Sequence, residues 1–182
     1  MKTKIINLLS FDELNAEQKD QVIKNYQDIN TSYDWEFFIL DNWKERLERQ
    51  GFENATINYT GFWSQGDGAS FNCQVNLEQF LKGRRIAAKY AKELKRYKDE
   101  GFNISITNQG HYCHEYTMAI DSDYLENEQL EAFILEEARE QARKIYRELE
   151  KEYYQLSSDA EVAETLRSNE YFFNEETLKI DN

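Results

Sequence analysis

Apolar positions along the chain follow two periods. Trp35, Phe38, Ile39, Trp43 and Leu47 recur at helical spacing, and Gly51 closes that run. A second helical stretch reads over residues 77–100 and ends at Gly101. Phenylalanine follows each of these glycines, as expected where a left-handed residue ends a helix and an apolar contact lies just beyond it. Upstream, Ser10 with Glu13 and Asn15 with Gln18 have capping-box spacing and predict a short helix, then a longer one through Tyr26.

After each Gly-Phe pair the period drops to two. Residues 55–63 and 69–75 flank the turn Ser64-Gln65-Gly66-Asp67-Gly68, and residues 102–107 and 112–120 flank Asn108-Gln109-Gly110. Both read as β-hairpins. The order helix, Gly-Phe, strand, turn, strand therefore occurs twice. It predicts an α+β fold with a four-stranded antiparallel sheet covered by helices on one face. A third helix, residues 127–156, carries the apolar stripe Leu130, Phe133, Ile134, Ala138, Ala142, Ile145, Leu149, Tyr153 and Leu156. At roughly 1.5 Å per residue it spans about 45 Å, more than the sheet needs. Its far end is expected to overhang, dock the tail 160–180, or meet a second copy in a homodimer. The expected organisation is one domain over 1–182: N-terminal helices over 10–30, helix-hairpin units over 34–75 and 77–120, and the long acidic helix with its tail over 127–182.

Composition narrows the class. With 40% apolar and 14% aromatic residues the chain can offset its ordering entropy, which excludes a disordered protein. Proline is absent, so glycine, Asn and Asp must punctuate the chain. Two cysteines cannot build a disulfide scaffold. Residues 1–10 are too short and polar for a signal peptide, and no apolar run reaches membrane-spanning length. A cytoplasmic location in a bacterial host cell, with no membrane association, is the expectation.

Net charge is −13, which disfavours bulk non-specific nucleic-acid binding but leaves room for a local basic patch. Such a patch is predicted at Arg84, Arg85, Lys89, Lys92, Lys95 and Arg96. Within it Arg85, Lys89, Lys92 and Arg96 follow i, i+4, i+7, i+11 and should share a helix face. That face could grip a phosphate backbone, double-stranded DNA included, or a nuclease's acidic surface, or simply balance the acidic helix. The last third of the chain holds most of the acidity. Glu131, Glu136, Glu137 and Glu140 could imitate a rail of phosphates for a basic partner; ordinary solubility is the plainer explanation, with i, i+4 pairs such as Glu140–Lys144.

Chemistry finds less support. If residues 112–120 form a strand, His111, Cys113 and Glu115 share one face and His114 points to the other, which splits any site made with Cys73. No metal and no cofactor are expected. The Ser64–Gly68 segment matches neither the nucleophile elbow nor the phosphate-binding loop, Asp67 reads as a turn residue that tolerates the left-handed region, and an adjacent Cys113–His114 pair would face opposite ways. The chain is not expected to be an enzyme.

Three stretches carry a resemblance: Phe11-Asp12-Glu13-Leu14-Asn15; Gly61-Phe62-Trp63-Ser64-Gln65-Gly66-Asp67-Gly68-Ala69-Ser70-Phe71; and Gly110-His111-Tyr112-Cys113-His114-Glu115-Tyr116-Thr117-Met118. The second is similar to a hairpin motif in a widespread set of phage and mobile-element proteins that includes anti-CRISPR proteins. Length, acidity and the Lys/Asn/Ile-rich style resemble a type II-A anti-CRISPR. The resemblance implies a non-enzymatic protein that binds the RNA-guided type II CRISPR effector nuclease with its guide RNA and blocks target DNA binding or cleavage. The acidic helix would enter the DNA groove, or the basic helix would hold an unproductive complex. An antitoxin-like or anti-restriction partner is the alternative. The motif itself can be read as a folding core, with Phe62, Trp63 and Phe71 packed over a turn that needs Gly66 and Gly68.

Overall fold

The computed structural model describes residues 7–110, 112–122 and 124–181. In chain order these form β1 (Leu8–Ser10), a 3-10 turn (Phe11–Glu13), α1 (Ala16–Asn25), α2 (Phe37–Arg49), β2 (Phe52–Tyr59), β3 (Ala69–Val75), α3 (Leu77–Gly83) and α4 (Ala91–Glu100). There follow β4 (Ser105–Asn108), a second 3-10 turn (Glu115–Thr117), β5 (Met118–Asp121), α5 (Glu128–Leu156), α6 (Asp159–Ser168) and β6 (Phe172–Asn174). The fold is α+β. No described helix is long and apolar enough to cross a membrane. The chain divides into two compact units, one of residues 36–150 and one that joins the segment ending at Trp35 to the segment starting at Lys151.

The larger unit holds the four-stranded antiparallel meander β2-β3-β4-β5. Alternation in β3 is strict at its end: Phe71, Cys73 and Val75 are buried, Asn72 and Gln74 exposed. Helices supply the other half of this core through Trp43 and Leu47 of α2, Leu77, Phe80 and Leu81 of α3, and Leu130, Ile134, Ala138, Ala142, Ile145 and Leu149 of α5. Phe80 meets Phe52 and Phe133 edge-on, with ring centroids 5.6 and 5.8 Å apart. Gly51 stands at φ +88°, as its place after α2 requires.

The smaller unit is held by antiparallel pairing of β1 with β6, from Leu8↔Asn174 to Ser10↔Phe172, which nothing in the sequence pattern announced. Its core gathers Phe11, Leu14, Val22, Val162, Leu166 and Phe173. Both proposed capping boxes form: the Glu13 carboxylate accepts from the Ser10 N–H at 2.8 Å, and Asn15 and Gln18 bond reciprocally at 2.9 and 3.0 Å. Asn30 is buried but satisfied; its amide donates to the Leu156 carbonyl and its oxygen accepts from the Thr165 hydroxyl. The tail therefore docks on the N-terminal segment. Of its aromatic pair, Phe173 is fully buried and Phe172 is exposed.

Three expectations need correction. The helix expected over 77–100 is two helices, because Arg84 turns back to donate to the Gln50 and Phe80 carbonyls and Arg85 takes a left-handed φ of 59°. The run Arg85, Lys89, Lys92, Arg96 therefore never lies on one helix face; only Lys92, Lys95 and Arg96 belong to α4. Residues 112–117 are not strand. The Thr117 hydroxyl donates toward the His114 and Tyr112 carbonyls, which folds the backbone into a loop and cancels the alternation proposed for Cys113, His114 and Glu115. Helix α2 starts after Trp35 and leaves Phe38 largely exposed.

Gly51 and Gly101 both end helices at positive φ, yet a Cβ on Gly51 would lie 2.6 Å from the Phe80 nitrogen, whereas one on Gly101 meets nothing. Chemical denaturation should therefore separate them. Gly51→Ala is expected to cost at least about 3 kcal/mol and Gly101→Ala about 1 kcal/mol, the ordinary left-handed strain. Equal losses would refute the close approach of Gly51 to α3.

Candidate functional site

Two loops at one end of the sheet form the site. One, residues 60–68, joins β2 to β3; the other, residues 109–117, joins β4 to β5. The first is closed at its base, where the Thr60 N–H donates to the Gly68 carbonyl at 3.0 Å and the Gly68 N–H to the Thr60 hydroxyl at 3.1 Å. Asp67 pins its interior. One carboxylate oxygen accepts from the Ser64 N–H at 2.7 Å and the Trp63 N–H at 2.8 Å, and those donors hold the carboxyl below its ordinary value. Phe62 is buried between Tyr59 and Tyr146, at centroid distances of 5.9 and 5.5 Å, and the Tyr146 hydroxyl donates to the Gly61 carbonyl. Trp63 is exposed, its ring close over Gly61 and edge-on to Phe62 at a centroid distance of 6.3 Å. Ser64, Gln65 and Gly66 are exposed.

Asn108 and Thr117 organise the second loop. The Asn108 N–H donates to the Asn72 side chain at 2.6 Å, and its own side chain accepts from Gly110 and donates to the Tyr112 carbonyl. His114 accepts from the Tyr116 N–H at Nδ1 and stacks on the Tyr116 ring, centroids 5.1 Å apart and planes 21° apart. The two loops touch at Gly68, where a Cβ would lie 2.9 Å from both the Cys113 carbonyl oxygen and the His114 ring. Glycine is needed there for proximity, not for a positive φ; Gly66 has only Tyr112 within reach. Ser70 points the same way as Asn72 and Gln74 yet is fully buried, because the 115–117 turn packs on β3.

The result is an aromatic surface on a fixed base: Trp63, Tyr112 and Tyr116 are 70, 66 and 68% exposed. Trp63 is thus no core residue, although Phe62 and Phe71 are. Tyr112 and Tyr116 fell within the strand expected over 112–120, and that strand spacing hid the loop that exposes them.

The larger unit, with both loops, falls inside a single family match. The chain belongs to a domain family of unknown function, DUF8835, whose model matches residues 35–159. No curated protein matches the chain, and no solved structure does. The DUF8835 region covers α2 through the end of α5, so the aromatic loops and all charged candidates lie within it.

Those charged candidates split. In the DUF8835 region Arg84 is spent internally: it bonds Glu137 at 2.8 Å and stacks 3.7 Å from the Phe80 centroid. Arg96 is paired to Glu100 and Glu126. Arg85, Lys89, Lys92 and Lys95 are exposed. On α5, Glu136 and Glu140 both bind Arg143, and Glu140 also binds Lys144, while Glu137 turns to Arg84. Glu131 is half-buried, and burial, with Glu128 nearby, raises its carboxyl above the ordinary value. The four acids therefore do not form one open rail.

Burial pushes the Cys73 thiol up to about 12, far from a reactive thiolate at neutral pH. Cys113 lies half-buried in the second loop, and His111 lies outside the described residues. Among the described residues no group of three or more His, Cys, Asp or Glu side chains is gathered as a metal site.

Asp67 gives this site a pH signature. Its folded value lies below the ordinary 3.8, so its bonds favour the folded loop above that pH and lose their effect as pH falls through the folded value. Carbon-detected NMR titration should place the Asp67 midpoint below 3.8, and a midpoint at or above it would refute the pin.

Proposed function

We propose that this protein works by binding rather than by chemistry, and that its target is the RNA-guided type II CRISPR effector nuclease with its guide RNA, whose action on target DNA it blocks. The choice of target rests on the resemblance of the Gly61–Phe71 hairpin to phage proteins that include anti-CRISPRs. The contact surface rests on one observation: Trp63, Tyr112 and Tyr116 project from two loops whose backbones are already fixed by Asp67, Thr117 and Asn108. Large, rigid, amphipathic side chains on an ordered base lose little entropy on binding, and tryptophan and tyrosine are enriched among the residues that dominate interfaces.

Phosphate imitation by α5 is the weaker mechanism. Glu136, Glu137 and Glu140 would each have to leave an arginine or lysine of the same unit before meeting a partner's cations. These three carboxylates already have cationic partners in place. An exchange of one ion pair for another gains little.

Cleavage of a target plasmid by guide-loaded nuclease, titrated with the protein, tests both parts. Inhibition near stoichiometry is expected. The variant W63A/Y112A/Y116A should weaken it at least about 100-fold, given about 2 kcal/mol or more for each interface anchor, while E136Q/E140Q should leave it unchanged. No inhibition of several orthologous nucleases would sink the target. Full inhibition by the triple variant would sink the surface and keep the target.

A further inference from the structure

Eight cations lie between Lys82 and Lys98, and the fold treats them in two ways. Lys82 and Lys98 share Glu78, Arg84 takes Glu137, and Arg96 takes Glu100 and Glu126. Arg85, Lys89, Lys92 and Lys95 are exposed and bond no carboxylate among the described residues. Glu93, the one acid inside the stretch, accepts from the Asn127 amide instead. Carboxylates were not scarce, for the chain has 35 against 22 cations. Leaving four like charges within eleven residues of chain without a carboxylate partner costs repulsion that an anionic partner would relieve.

These four cations sit on ordered backbone. The turn after α3 is closed by hydrogen bonds from the Arg85 N–H to Lys82, the Ile86 N–H to Leu81 and the Lys89 N–H to Ile86, each at 3.0 Å. The Lys89 ammonium rests 4.9 Å from the centroid of the Tyr90 ring, and Tyr90 is itself buried. Lys92 and Lys95, three residues apart on α4, are surface neighbours.

We infer that the segment 85–95 contacts the phosphate backbone of a nucleic acid through Arg85, Lys89, Lys92 and Lys95, a contact that deepens the reading of a target that carries guide RNA and engages DNA. Three of the four are lysines, point charges on flexible stems. They suit sequence-blind phosphate contact better than the forked reading of base edges. Arg84 and Arg96 have no part in it, being held by carboxylates of the same unit. The net charge of −13 keeps the affinity low and confines binding to this segment.

Fluorescence anisotropy of the whole protein with a labelled DNA duplex of about 20 bp, and with an RNA hairpin, tests this without any nuclease. Inhibition of cleavage and binding of nucleic acid are thus scored separately. Over about 50 to 200 mM salt the log–log slope for duplex should be roughly −3.6, from four phosphates at about 0.9 each. R85A/K89A/K92A/K95A should weaken binding on the order of 100-fold and flatten the slope, and K92A/K95A should remove about half of it. K24A/K44A, at exposed cations elsewhere, should change neither. Preference for duplex or for RNA supports the inference and names the strand source. It is overturned by absence of binding to both at the lowest salt, by unchanged binding in the quadruple variant with native circular dichroism, or by binding of poly-glutamate alone.

Discussion

The Phe80 ring organises the larger unit. Phe52 and Phe133 meet it edge-on, one from the first strand of the sheet and the other from α5, and the Arg84 guanidinium lies 3.7 Å from its centroid. Each aromatic contact adds about 0.5–1.5 kcal/mol beyond simple burial, so one ring couples sheet, short helix and long helix. Two constraints follow from its position. Gly51 must stay without a side chain, because the Phe80 backbone comes too close for a Cβ. Arg84, drawn over the ring, reaches Glu137 from the position that caps the end of α3.

Electrostatics in this acidic chain are mostly internal. The carboxylates of α5 that look like an open rail in sequence are spent on Arg84, Arg143 and Lys144. What remains at the surface of the DUF8835 region is a different mixture: aromatic rings on two pinned loops, and lysines on an ordered segment. Tightness in one place releases chemistry in another. Arg84 and Arg96 take Glu137, Glu100 and Glu126, while Lys89, Lys92 and Lys95 pair with no carboxylate among the described residues.

Sequence reading succeeded where the cause was local. Capping boxes act over three residues, and the Gly-Phe pairs mark the ends of helices whose φ values they set, so both were legible. The four-stranded order was legible too, since consecutive strands pair in sequence order. Failures trace to distant partners. At the break between α3 and α4 Arg84 bonds the Gln50 carbonyl, 34 residues away, and Glu137, 53 residues away, and no periodicity carries that information. The outward turn of Trp63 depends on Phe62 taking the slot beside Tyr146, a residue 85 positions from the Gly61 carbonyl it bonds. Tyr112 and Tyr116 are exposed on a loop in which Thr117 and Asn108 make side-chain hydrogen bonds to the backbone, and the alternation of residues 112–120, which reads as strand, does not carry that information.

The pairing of β1 with β6 also bears on how the chain is made. A ribosome delivers residues 36–150 as one continuous piece, and that unit can close while synthesis is still under way. The smaller unit cannot: Phe11, Leu14 and Val22 find Val162, Leu166 and Phe173 only after more than a hundred further residues have emerged. Its opening segment therefore waits with apolar side chains uncovered, and the short strand at Phe172–Asn174 is the late arrival that seals it.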